Sequence, residues 1–87
     1  MTIQYGPKFK KQYEKLPQRF QQQFDERLRL FISDPTNPQL RVHPLKGKHA
    51  GYWSMNVNGD IRALYTMQGE EIIIFALIGS HSKLYGQ

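Results

Sequence analysis

Residues 72–78 read Ile-Ile-Ile-Phe-Ala-Leu-Ile, an uninterrupted apolar run. It is rich in β-branched side chains and too short for a buried helix, so it is read as a strand. Apolar on both faces, it belongs inside a sheet, with a neighbouring strand on each side and its faces covered. Everything else in the chain has to supply those neighbours and that cover.

The first part supplies the cover. Thr2 to Tyr5 reads as a short strand, which Gly6-Pro7 breaks. Pro7 suits the first turn of a helix, and Phe9, Tyr13 and Leu16 recur at helical spacing after it. Pro17 ends that helix and opens a second, in which Phe20, Phe24, Leu28 and Phe31 form an apolar stripe. Asp34-Pro35-Thr36-Asn37-Pro38 is a stop and a turn. A helical hairpin is therefore expected before residue 40.

The rest supplies the strands. Arg41 to Leu45 reads as a short extended segment, and Pro44 argues for a sheet edge. Lys46 to Gly51 reads as a flexible basic loop. Tyr52 to Val57 alternates, Ile61 to Met67 is a strand, and Gln68-Gly69-Glu70 turns the chain into the apolar run. Asn58-Gly59 signals a two-residue hairpin, which would pair Val57 with Asp60 and set Met55 on the same face as Arg62. A three-residue loop, Asn58-Gly59-Asp60, pairs Val57 with Ile61 instead. Trp53, Met55, Val57, Ile61, Ala63 and Tyr65 then share one face, and Ser54, Asn56 and Arg62 the other. A one-residue slip inverts every side chain, so burial outranks the turn signal and the three-residue loop is preferred. The expected fold is α+β: one domain over 1–87, a helical hairpin on one face of a twisted, mainly antiparallel sheet of about four strands. Arg62 looks out from the opposite face.

Composition bounds the chemistry. The chain has no cysteine, which excludes disulfides and thiolate metal sites. Its three histidines lack ligand spacing, so neither a metal nor another cofactor is expected. No apolar run approaches the roughly 20 residues of a membrane span. Met1 to Tyr5 lacks the layout of an export signal, so the cytoplasm is the expected compartment. The formal charge of +5 points to a polyanion or an acidic protein as partner.

Candidate site residues gather in the second half. His81 follows the apolar strand in Gly79-Ser80-His81, and an imidazole handles protons near neutrality. His43 lies on the extended segment before Pro44. Arg62 carries a fixed charge on a fork that matches phosphate. Asp60, two residues before it, can share its face or simply serve the turn. Lys46 and Lys48 bracket Gly47 and suit backbone phosphates, or are merely solvated. Tyr85 lies outside the strands and is either a base-stacking ring or an anchor for the tail. His49 reads as a solvated residue. Lys8, Lys10, Lys11 and Lys15 form a wet helical face, or one that docks to RNA-rich surroundings. RNA can be cut by such parts: one group takes the 2′-OH proton, the 2′-oxygen attacks phosphorus, and an acid protonates the leaving 5′-oxygen. His43, His81 and Arg62 supply two proton-handling groups and a cation.

His43-Pro44-Leu45-Lys46-Gly47, Gly59-Asp60-Ile61-Arg62-Ala63-Leu64-Tyr65 and Gly79-Ser80-His81-Ser82-Lys83-Leu84-Tyr85-Gly86 together resemble the RelE/ParE toxin superfamily, and within it the YafQ branch. The likeness covers nearly the whole chain. It implies a toxin of a bacterial toxin–antitoxin pair that cuts mRNA in the ribosomal A site, amid rRNA and without a metal, and that a cognate antitoxin protein silences. By position, His43, Asp60, Arg62, His81 and Tyr85 match residues of the family's site. Two positions depart from it. Asn56 stands where such proteins carry another histidine, and Leu77 where they carry an arginine, for which Lys46 is the candidate substitute. The alternatives are a ParE-like inhibitor of a protein target such as gyrase, and a remnant that only binds an antitoxin.

Overall fold

The structure, a computed structural model, describes residues 1–86. Strand β1 (Thr2–Tyr5) leads through Gly6 into α1 (Pro7–Lys15), with Pro7 in its first turn. Helix α2 (Gln18–Ser33) follows, with Pro17 at its N-cap. A 3₁₀ turn at Pro38–Leu40 precedes the short β2 (His43–Pro44), and another, at Gly47–His49, precedes β3 (Trp53–Asn56). Strands β4 (Ile61–Gln68) and β5 (Ile72–Ser80) form a hairpin, and a last helix, α3 (His81–Tyr85), closes the described chain.

The sheet has five strands, in the order β1-β5-β4-β3-β2, one more than the expected count of about four. Thr2–Tyr5 earns its place by pairing parallel to β5, and all other pairings are antiparallel. The apolar run thus lies between two strands, and His43-Pro44 is the far edge, where a residue without an N–H does least harm. Gln12 of α1 accepts the Ile78 N–H at 2.9 Å, beyond the reach of the short β1.

The hairpin register is the three-residue one: Trp53 pairs with Tyr65, Met55 with Ala63, and the Val57 N–H donates to Ile61 O at 2.9 Å. Neither Asn58 nor Gly59 has the positive φ that a two-residue I′ turn demands. Asn58 Oδ1 instead accepts from the N–H groups of Asp60 and Ile61, both at 2.8 Å, so the side chain builds the turn.

Phe9, Phe24 and Phe31 of the helices meet Met55, Val57, Ile61, Ala63, Tyr65, Ile73, Phe75 and Ile78 of the sheet in one core. Phe24 and Phe75 stand edge to face, 5.3 Å apart. A bulge shifts the β4–β5 register, so that Leu64 pairs with Leu77 but Tyr65 with Phe75, leaving Ala76 as the extra residue. The bulge changes the phase of β5, and Phe75 and Ile78, three residues apart, both face the helices.

The opposite face is not wholly bare. Leu64 and Ser54 on it are fully buried, and Leu84 of α3 packs over Gly79. The Lys46–Gly51 loop is likewise less free than its glycines suggest. It contains a 3₁₀ turn, and His49 Nε2 donates to Leu84 O at 3.0 Å, tying it to α3. No helix among the described residues is long and apolar enough to cross a membrane.

Candidate functional site

Between β2, the far ends of β3 and β4, and α3 lies an open cleft of about 690 Å³. His43, Lys46, Arg62, His81 and Tyr85 line it, and so do Arg41, Leu45, His49, Ser54 and Asn56. Each reaches it for a local reason. His43 pairs with Ser54 across the sheet edge, and Arg62 pairs with Asn56 and with Gly79 on the face away from the helices. His81 is the first residue of α3, whose start Ser80 caps by accepting the Lys83 N–H at 3.2 Å.

The two candidate proton carriers are held differently. His43 Nδ1 lies 2.8 Å from Arg41 O. A carbonyl only accepts, so Nδ1 carries the hydrogen and Nε2 of the neutral ring is left with its lone pair. His81 is exposed, and its ring meets Tyr85 edge-on, with centroids 4.5 Å apart. Tyr85 is half-buried between the His49 and His81 rings, and its hydroxyl donates to Ser54 Oγ at 3.4 Å. It anchors the tail and presents part of its ring to the cleft. Arg62 is half-buried, and Nη1 donates to Asn58 O at 2.8 Å and to Ile61 O at 3.3 Å, leaving its remaining donors for a ligand.

Two of the seven expected site residues do not line the cleft. The Asp60 side chain makes no hydrogen bond among the described residues, and its contribution runs through the backbone, where its carbonyl accepts the His81 N–H at 3.0 Å and fixes the start of α3 to the hairpin. The Lys48 ammonium turns toward Gly86, 3.8 Å from where a Cβ there would sit. Arg41, by contrast, lines the cleft without having been singled out. The signal for it was the alternation Arg41-Val42-His43, which sets a cation beside the histidine. Asn56 also lines the cleft, and Leu77 lies on the same face opposite Leu64.

The strongly shifted groups lie elsewhere. Burial pushes Tyr65, in the core, up to about 12. Tyr13 is also pushed up to about 12, by burial and then by the hydrogen bond to Asp25 Oδ1 at 2.9 Å. Tyr13 borders a hollow of about 410 Å³ on the helix side, with Tyr5, Phe9 and Phe24. That hollow holds none of the cleft residues.

Fold and cleft together define a small basic α+β protein with three imidazoles and two guanidinium groups in one open groove. The profile of the family described as "Bacterial toxin of type II toxin-antitoxin system, YafQ" matches residues 1–86, and the chain belongs to that family. Solved structures share the fold. Escherichia coli YafQ, from strain BL21(DE3), superposes with a TM-score of 0.82 at 23% identity, covering 97% of each chain. In the E. coli DinJ–YafQ toxin–antitoxin complex the TM-score is 0.79 at 23% identity, over 97% of this chain and 96% of that one. The YoeB/ParE toxin of Agrobacterium tumefaciens gives 0.76 at 22%, over 93% and 99%. No curated protein matches the sequence.

Proposed function

We propose that this toxin is a ribosome-dependent endoribonuclease that needs no metal and cuts mRNA in the ribosomal A site of the cytoplasm, with rRNA around it. What supports the reading is that His43, His81 and Arg62 line one open cleft of about 690 Å³. His43 Nε2, the free lone pair, takes the 2′-OH proton. The 2′-oxygen forms a bond to the adjacent phosphorus, the bond to the 5′-oxygen breaks, and His81 gives that oxygen its proton. The products are a 2′,3′-cyclic phosphate and a 5′-hydroxyl. Arg62, with its remaining donors, bears the charge that builds on the phosphoryl oxygens. Lys46 adds a second cation. Tyr85 offers its ring to a base. Asp60 orients His81 through its backbone, and Lys48 assists by charge alone. A cognate antitoxin protein holds the toxin silent, as DinJ pairs with YafQ in the E. coli complex.

A second reading has a specific basis. Asn56 cannot titrate and Leu77 carries no charge, so a protein that blocks a target such as gyrase, or only binds its antitoxin, fits those two positions. The readings part in cells. Tightly controlled expression of wild type arrests growth with loss of full-length messages, and His81→Ala does neither. If both chains arrest growth equally with the same loss of message, His81 has no such role. Arrest with intact messages favours the non-catalytic inhibitor.

A further inference from the structure

The cleft continues past Arg62 into a smaller groove of about 310 Å³. Arg41, Asn56 and Arg62 line both spaces, and Arg27, Gln39 and the Asn58–Gly59 turn complete the second. Three guanidinium groups thus converge from three places: Arg27 from α2, Arg41 from the segment before β2, and Arg62 from β4. No carboxylate lines either space, and the one ion pair among the described residues joins the N-terminal ammonium to Glu71.

Two of these arginines are already held by neutral acceptors. Arg27 Nε donates to Val57 O at 3.4 Å and Nη1 to Gln39 Oε1 at 3.1 Å, and Arg62 donates to Asn58 O. Each guanidinium has five N–H donors, so both keep donors in reserve in a fixed orientation. Arg41 makes no side-chain hydrogen bond among the described residues. Its backbone is in the left-handed region, at φ 48°, the one non-glycine residue so placed among those described. That conformation turns its carbonyl onto His43 while its side chain stands at the junction of cleft and groove. Fixed like charges without a carboxylate between them favour an anion, and a guanidinium fork matches phosphate.

We propose that the groove is a second anion subsite, in which Arg27 and Arg41 grip a phosphate of single-stranded RNA next to the scissile one at Arg62. The identity of the scissile position rests on the function proposed above, whereas the binding does not depend on cleavage. The toxin then engages its message over consecutive phosphates, and the strand runs along the Asn56–Gly59 hairpin rather than straight across the sheet.

The test is binding of a labelled 2′-O-methyl RNA of about 12 nucleotides, which lacks the attacking hydroxyl, followed by anisotropy between about 50 and 200 mM salt. Arg41→Asn removes the charge with a residue that accepts the left-handed backbone, and Arg27→Gln completes the pair. Losing one single-strand phosphate contact lowers the slope of log K against log salt by about 0.7. Arg41→Asn is expected to show part of that loss, and the double variant all of it and no more, because both side chains hold the same phosphate. Melting by circular dichroism keeps unfolded variants out of the comparison, and Arg41→Asn alone suffices should Arg27→Gln prove unstable. A slope equal to that of wild type in Arg41→Asn and the double variant overturns the subsite. Messages cut in cells with that unchanged slope would leave the nuclease standing without the groove. A reduced slope with uncut messages would leave the groove standing without the nuclease.

Discussion

His43, the proposed base, has one of its two ring nitrogens already occupied. Arg41 O takes the Nδ1 hydrogen at 2.8 Å, which fixes both the tautomer and the ring. Asparagine at this position keeps a donor near Nδ1 and lacks Nε2 altogether. His43→Asn should therefore slow message cleavage on purified ribosomes by about 10²–10⁴-fold, the usual worth of a positioned acid or base. Because His43 is exposed, its stability should change by no more than about 0.5 kcal/mol. Cleavage within a few-fold of wild type, with an unaltered melting curve, would remove His43 from the chemistry. Arg62 is the complementary case: its position was readable from alternation along β4, but its anchoring by Asn58 O was not, since that depends on how the turn closes.

Helix α3 shows why parts of the site escaped the sequence. Five residues are too few to be helical on their own, so α3 exists by virtue of what it touches. Leu84 over Gly79, the Ser80 cap, and His49 bonded to Leu84 O all hold it, and three of these four residues carry no helical pattern. That the tail could be anchored was legible from Tyr85; its helical form was not. The same holds for β5. Its apolar run announced an internal strand, but the bulge at Ala76, which turns both Phe75 and Ile78 toward the helices, is invisible where every residue is apolar. The β3–β4 register was legible because Trp53 to Val57 alternates and Arg62 must stay off the apolar face, which outweighed the Asn-Gly signal. Leu84→Ala should cost about 2 kcal/mol, the low end for a leucine with one side near solvent. In hydrogen exchange, amides of 81–86 should lose protection while those of β4 and β5 keep theirs. Protection unchanged in α3 would mean that other contacts hold it.

At the scale of the molecule, the sheet separates two tasks. One face carries the aromatic core with α1 and α2, where Phe24 and Phe75 are almost wholly buried. The other carries the cleft, whose lining holds two arginines and a lysine and no carboxylate. The net charge of +5 points to a polyanion or an acidic protein, yet it does not say which cations line the cleft. Lys48 points away from the cleft and Arg41 points into it, a choice made by a 3₁₀ turn and a left-handed backbone rather than by composition. The account depends on two imidazoles passing a proton across one RNA phosphate, and that leaves a signature on the cut ends. The direct measurement is the chemistry of message ends produced on translating ribosomes by wild type and by His81→Ala. Wild type should leave 2′,3′-cyclic phosphates upstream and 5′-hydroxyls downstream, and His81→Ala should leave neither. Downstream fragments bearing 5′-phosphates, or the same ends at the same yield from His81→Ala, would contradict it.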